Sequence, residues 1–334
     1  MIMRRAVHFV YWVGAFLSAV AVSFAANVSA PVDFEGPVPI EFRVFIIDVD
    51  EINSAEQNFT ANVYVQASWK DSRLAHEQPG VITVPLAEIW HPQMQFVNQQ
   101  RLWRTFSDDA FVMPDGTVTF RQRVWGQFSQ PLGLRDFPFD HHTFNVIIVA
   151  AGVYEEDVEF VLSSERPSGI STNLSVADWD VREVRVEPQG YTPMPGDVTI
   201  AGFVASFTAY RDSGYFVFKV IVPLVLILAM SWVVFWIDPS ESGTQIGVAT
   251  TTMLTLIAYR FAMGSNLPNI SYLTRMDYFI LASTILVFLS LMEVMLTSHL
   301  AKTGRLKQAR WIDWCARFLV PTVFVAVTLH AFIL

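Results

Sequence analysis

Residues Thr244–Gly264 read TQIGVATTTMLTLIAYRFAMG. The stretch is long enough to cross a membrane as a helix, which takes about 20 residues. Yet it carries Gln245, Thr250, Thr251, Thr252 and Thr255, and a helix facing lipid has no use for that many polar groups. At 3.6 residues per turn, Gly247, Thr251, Leu254, Ala258, Phe261 and Ser265 fall on one stripe, small and hydroxylic below, apolar above. Val248, Met253, Leu256 and Ile257 fall mostly on other faces. Inside a membrane such a stripe either packs on another helix or lines water. That choice settles what the protein does.

Three further apolar stretches of spanning length surround this one: Phe216–Ile237, Met276–Leu300 and Trp311–Leu334. Together they place a four-helix membrane domain over residues 215–334. The first residues read as a secretory signal. Arg4 and Arg5 precede the apolar run Ala6–Val22, and small residues follow, so cleavage after Ala25 or Ala30 fits. The signal puts residues 31–214 outside the cytoplasm. That region carries 26 acidic against 12 basic side chains, whereas residues 215–334 carry five acidic against eight basic. The acidic half does not suit nucleic acid, and several copies around an axis would concentrate cations. Lys302, Arg305, Lys307 and Arg310 cluster between the third and fourth stretches. By the positive-inside rule that loop and Asp238–Ser242 are cytoplasmic, with the N-terminal domain and C-terminus outside. The single cysteine, Cys315, excludes an intrachain disulfide, and no Cys/His cluster suggests a metal or cofactor.

Residues 31–214 alternate in short runs. Phe42–Val49, Thr60–Trp69, Val118–Phe128, Phe144–Val149, Val158–Leu162, Trp179–Val186 and Ile200–Tyr210 read as strands. Pro114-Asp115-Gly116, Pro131-Leu132-Gly133, Pro167-Ser168-Gly169 and Pro195-Gly196-Asp197 mark turns. Strands at this spacing predict an all-β sandwich.

The order of local motifs then resembles the pentameric ligand-gated ion channels. Arg135-Asp136-Phe137-Pro138-Phe139-Asp140 resembles the centre of that family's Cys-loop. Gln130 and Phe144 stand where animal members place the bridging cysteines, as in the prokaryotic branch. Ile89-Trp90-His91-Pro92 through Asn98 resembles a principal-face binding segment. Val63-Tyr64-Val65 to Trp69-Lys70-Asp71 resembles a complementary-face strand. Arg211–Phe216, with Pro223 beyond it, resembles the entry to the first helix. Asn266-Leu267-Pro268 to Ser271-Tyr272 resembles the loop between the second and third helices.

The resemblance implies a homopentamer in the bacterial inner (plasma) membrane, with an extracellular sandwich followed by an all-α transmembrane domain. It makes the stripe Gly247, Thr251, Leu254, Ala258, Phe261 and Ser265 the pore lining, and Glu241 and Thr244 the cytoplasmic mouth. The usual Glu ring of cation-selective members is absent, but so is the Pro-Ala of anion-selective ones; Glu241 and the acidic outer domain favour monovalent cations. Asp140 and Arg211 should pair at the domain junction, with Asp50 or Glu51 as a third member. Ile52, Phe137, Pro138 and Pro268 are candidates for contact across the junction. The agonist box is depleted: Tyr64 keeps one wall, Val97 and Ala151 replace aromatics with Tyr154 just after Ala151, and Tyr191 and Phe203 flank the candidate capping hairpin. That disfavours a quaternary amine. Arg104 and Arg121, with Arg123, suit a carboxylate. Protons are a second agonist class, through Glu155-Glu156-Asp157, His91, His141 and His142.

Other classes fit less well. A membrane-anchored extracellular sensor without a pore needs an output domain, and the longest interior loop is about Ala301–Arg310. A transporter needs intramembrane charge, and Asp277, Glu293 and Asp313 read as lying near helix ends. No Ser/His/Asp order, metal spacing or phosphate loop supports an enzyme.

Overall fold

The computed structural model describes residues 29–31, 33–263 and 270–332. The signal stretch, Ser265 and Pro268 lie outside the described residues. Among the described residues, twelve strands form two sheets in the N-terminal half. They are β1 (Val38–Asn53), β2 (Asn58–Lys70), β3 (Ile82–Pro85), β4 (Met94–Phe96), β5 (Gln99–Arg104) and β6 (Asp109–Val112). Then come β7 (Thr117–Ser129), β8 (His141–Tyr154), β9 (Val158–Leu162), β10 (Gly169–Ile170), β11 (Trp179–Pro188) and β12 (Ile200–Arg211). The larger sheet runs β10-β1-β2-β7-β6-β3, with β5 also on β7 and β9 on β1. The smaller runs β11-β12-β8-β4.

Alternation decides which side chains meet between the sheets. Ala61, Val63, Val65 and Ala67 of β2 are all buried. In β1 the buried set passes from Phe42, Val44 and Ile46 to Val49. The change of parity coincides with a register shift between Ile46 and Asp48, where a bulge moves the following side chains to the other face. Six phenylalanines form the centre of the sandwich: Phe42, Phe59, Phe128, Phe144, Phe203 and Phe207. Phe59 meets Phe128, Phe144 and Phe207 at ring-centre distances of 5.4, 5.2 and 5.6 Å. Each such ring contributes about 1.5–3 kcal/mol by leaving water. No disulfide closes the loop before β8. Instead Gln130 Oε1 accepts from the Asn145 backbone N–H at 3.2 Å, while Phe144 fills the core.

Among the described residues, four helices follow that are long and apolar enough to cross a membrane: α1 (Gly214–Trp236), α2 (Ser242–Met263), α3 (Arg275–Lys302) and α4 (Leu306–Phe332). α1 has a wide π-type turn at Val217–Ile221 just before Pro223, which lacks an N–H and whose ring crowds the carbonyl four residues back. Thr274 caps α3: its hydroxyl accepts from the Asp277 N–H (3.1 Å), and Asp277 Oδ2 accepts from the Thr274 N–H (2.9 Å). α4 begins five residues earlier than hydropathy predicts. Its first turns carry Lys307 and Arg310, which hydropathy excludes from a span, but Arg310 pairs with Asp238 at 2.8 Å and the helix continues beyond its apolar part.

Candidate functional site

α2 shows two faces. Gln245, Ala249, Thr252 and Leu256 are buried against its own bundle. Gly247, Thr251, Leu254, Ala258 and Phe261 all point away from it. Leu254 is 61% exposed and Phe261 84%. Glu241 and Thr244 are exposed at the start of the same face. Thr251 Oγ donates to the Gly247 carbonyl (2.8 Å), and Thr255 Oγ to that of Thr251 (2.9 Å). With their protons committed to the backbone, both hydroxyls offer only oxygen lone pairs to whatever passes.

At the foot of the sandwich, Arg211 closes a two-point pair with Asp140: Nε to Oδ1 at 2.8 Å and Nη2 to Oδ2 at 3.0 Å. The two side chains are 5% and 2% exposed. The guanidinium lies 4.1 Å from the Trp179 ring centre and 4.9 Å from that of Phe137. Burial pushes the Asp140 carboxyl up, but the hydrogen bond from His142 and the bonds and charge of Arg211 outweigh it. The carboxyl is held well below the usual carboxylate range.

The expected third member is different. Asp50 faces the outer surface and accepts from Trp125 Nε1, and Glu51 is exposed beside Asn53. Both point away because the second register shift in β1, between Val49 and Glu51, turns them outward. Ser54 reaches Arg211 instead (2.8 Å), and His142 Nε2 lies 2.7 Å from Asp140 Oδ2. The period of two from Asp140 to His142 was the available signal for the latter. His141 points the other way and stacks on Tyr210.

The loop Arg135–Asp140 touches helices on three sides. Phe137 meets Phe216 of α1 edge to face at 4.7 Å. Asp136 accepts from Arg275 Nε of α3 at 2.8 Å, and Phe139 meets Phe332 of α4 at 5.6 Å. Tyr272 Oη accepts from the Leu134 N–H at 2.9 Å. Pro138 is buried beside Phe137. Ile52 is buried opposite Phe59 in the β1–β2 pairing. In the sequence Tyr272 has a place in the loop motif but no role, and Arg275 is not singled out, because their partners lie about 140 residues away.

The ligand candidates divide between the two sheets. Tyr64 of β2, Arg121 of β7 and Arg104 of β5 belong to the larger sheet. Arg121 lies over Phe111 (4.2 Å), Arg104 pairs with Asp108 (3.3 Å) and Tyr64 Oη donates to Gln66. Tyr154 and Tyr191 both lie opposite Ile200 beside the β11–β12 hairpin. Val97 and Ala151 hold backbone bonds to Ile147 and Gln93 on the same sheet. The two sets are not gathered into one pocket within the subunit. Phe203 is a correction: it is fully buried, stacked on Phe42 at 4.1 Å, because its parity on β12 turns it into the core. A cavity of about 330 Å³ does open within the subunit, lined by His91, Gln93, Gln95, Arg104, Phe120 and Gln122. Burial lowers the His91 pKa, against the opposing charge of Asp108.

Residues 24–196 match the neurotransmitter-gated ion-channel ligand binding domain, and residues 220–308 match the neurotransmitter-gated ion-channel transmembrane region. The chain is similar to a proton-gated ion channel of Gloeobacter violaceus, 25% identical over 298 residues, covering 86% of this chain and 81% of that one. It is also similar to a gamma-aminobutyric acid receptor subunit beta-4 of Gallus gallus, 26% identical over 279 residues. That match covers 80% of this chain and 57% of the receptor subunit.

Proposed function

The chain belongs to the neurotransmitter-gated ion-channel family, a family of ligand-gated channels and not of enzymes, and on that premise we propose that it forms a homopentameric, cation-selective channel whose pore is lined by α2. The observation that carries the reading is the outward face of α2. Gly247, Thr251, Leu254, Ala258 and Phe261 turn from their own bundle, and five copies around an axis would convert that face into rings. The Thr251 and Thr255 hydroxyls present lone pairs rather than protons, which suits a cation. Glu241 at the mouth adds negative charge. Leu254, with Ala258 and Phe261, is the gate, because a narrow apolar ring dewets and an ion cannot shed its water there.

The proposed setting is a bacterial plasma membrane, and the loop charges favour an orientation with sandwich and C-terminus outside. Agonist chemistry follows from the sheets. The Tyr154–Tyr191 set of one subunit would face the Tyr64, Arg104 and Arg121 set of the next, and such a box suits a small carboxylate better than a quaternary amine. Protons are the second class, as the name of the Gloeobacter relative suggests. Recording from protein reconstituted in planar bilayers, across pH values and panels of small acids and amines, tests this. Agonist-evoked currents reversing near the cation equilibrium potential are expected. Reversal near the anion potential removes the selectivity reading, and absence of any current removes the channel.

A further inference from the structure

Three helices bring uncompensated polar groups together inside the bundle, away from the α2 stripe. Asp313 of α4 is 1% exposed and Gln245 of α2 is fully buried. Glu293 of α3 lies within hydrogen-bonding reach of Asp313. Glu293 stands nine residues inside the end of α3 and Asp313 seven inside the start of α4, so each lies about 10–14 Å along its helix from the loop side. The expectation that both lie at helix ends is therefore corrected. As two carboxylates, neither can donate to the other. Both Glu293 oxygens, Asp313 Oδ1 and Gln245 Oε1 then have no hydrogen-bond partner. Orphaned buried charge of this kind costs several kcal/mol.

Among the described residues no cation forms an ion pair with either carboxyl. Arg317 of α4 is the charged group that acts on Asp313. Its Nε donates to the Phe235 carbonyl of α1 at 2.9 Å, and its guanidinium lies over Trp236 at 5.5 Å. Thr297 of α3 gives its hydroxyl to the Glu293 carbonyl (3.1 Å). Asp238 and Arg310 pair with each other at the loop. Gln245 donates firmly to the Ile237 carbonyl (2.9 Å) and loosely to Asp313 Oδ2 (3.5 Å). A proton supplies the donor that the pair itself lacks: one O–H on either carboxyl bonds the two together and removes one of the two buried charges.

We infer that Glu293 and Asp313 form a proton-binding site, one proton shared between two carboxyls, and that this proton holds the base of α2 against α3 and α4 through Gln245. When the proton leaves for water on the loop side, two carboxylates remain, and their repulsion drives α3 and α4 apart beneath Gln245. Gln245 stands between Thr244 of the mouth and Gly247 of the outward stripe, so the release reaches the pore helix. The site is separate from any agonist site on the sandwich. Its effect on conduction rests on the pore reading above; its proton occupancy does not.

Infrared titration of the full chain in lipid vesicles tests occupancy directly. A carboxylic-acid C=O band is expected at neutral pH, disappearing at alkaline pH and missing in both Glu293→Gln and Asp313→Asn. A band that neither variant alters overturns the site, whether or not the protein conducts. Each variant is first checked for wild-type assembly by native mass; if one fails to assemble, the other carries the comparison. Currents are then recorded with pH varied only on the α3–α4 loop side. Wild type should respond, and Glu293→Gln, which keeps a neutral hydrogen-bonding group, should lose that response while still answering agonist. An unchanged response in Glu293→Gln overturns the coupling to α2.

Discussion

Arg211 does three things at once: it pairs with Asp140, bonds Ser54 and lies between Trp179 and Phe137. Lysine cannot reproduce this, because a compact ammonium has neither the flat face nor the fork. Arg211→Ala leaves Asp140 buried and charged, a loss of about 3–5 kcal/mol when one side of a buried pair goes. We expect the variant to melt earlier and to activate only at much higher stimulus, if at all. Surface expression measured beside dose response checks that the protein assembled; normal activation would make the pair dispensable. The pH dependence has a definite sign. The Asp140 pKa is depressed in the folded chain, so its stabilisation is complete above the unfolded value near 3.9 and is lost as pH falls below it. Melting temperature should therefore drop steeply on acidification below about pH 4. Asp140→Asn should start lower at neutral pH and show a shallower acid limb. An acid limb as steep as wild type would assign the acid sensitivity elsewhere.

At the scale of elements, the proposed pore reading divides gating from conduction along one face of α2. Leu254→Ser lets water remain in the apolar ring, so channels should open spontaneously or at lower stimulus. Thr251→Ala, one turn below, removes a lone-pair ring and should lower single-channel conductance with little change in activation. Well-expressed Leu254→Ser channels with unchanged leak and unchanged stimulus dependence would move the gate off Leu254. How much of this was legible in sequence follows from what makes each element. The long strands β1, β2, β7, β8 and β12 announce themselves because one face of each is buried and residues alternate. The short strands β3 to β6 carry too few residues to alternate clearly, and they form because β7 offers a partner to β5 and β6, β8 to β4, and β6 in turn to β3. The α2 stripe was readable because helical spacing alone generates it. Phe203 was misplaced because its inward parity depends on register, which composition near a hairpin does not reveal. The Glu293–Asp313 meeting could not be seen, since it depends on α3 and α4 packing at one level.

At the scale of the whole molecule, a lone subunit cannot satisfy its own surface. Leu254 and Phe261 stand exposed on the face of α2, while Thr251, Thr255 and Gly247 share that face. Lipid would suit the first two and not the others, whereas a water-filled axis bordered by copies of the same helix suits both. The ligand candidates lead to the same conclusion. Tyr154 belongs to the smaller sheet and Tyr191 bridges to Ile200 beside it, while Tyr64, Arg104 and Arg121 belong to the larger sheet, and head-to-tail contact between neighbours would bring the sets together. Head-to-tail contacts close into a ring when the rotation permits. Native mass in detergent should therefore give a closed oligomer of five chains, and a stable monomer or dimer would remove both the pore and the shared agonist box. The ring also makes the two sets complementary in a testable way. Tyr191→Ala on one subunit and Arg121→Ala on another should each weaken agonist action alone. In concatenated pentamers, both changes placed at a single interface should cost little more than either one, because that interface is already lost. Placed at two separate interfaces, they should cost roughly the sum, as independent sites do. Equal losses in the two arrangements would show that the Tyr191 and Arg121 sets do not share a ligand.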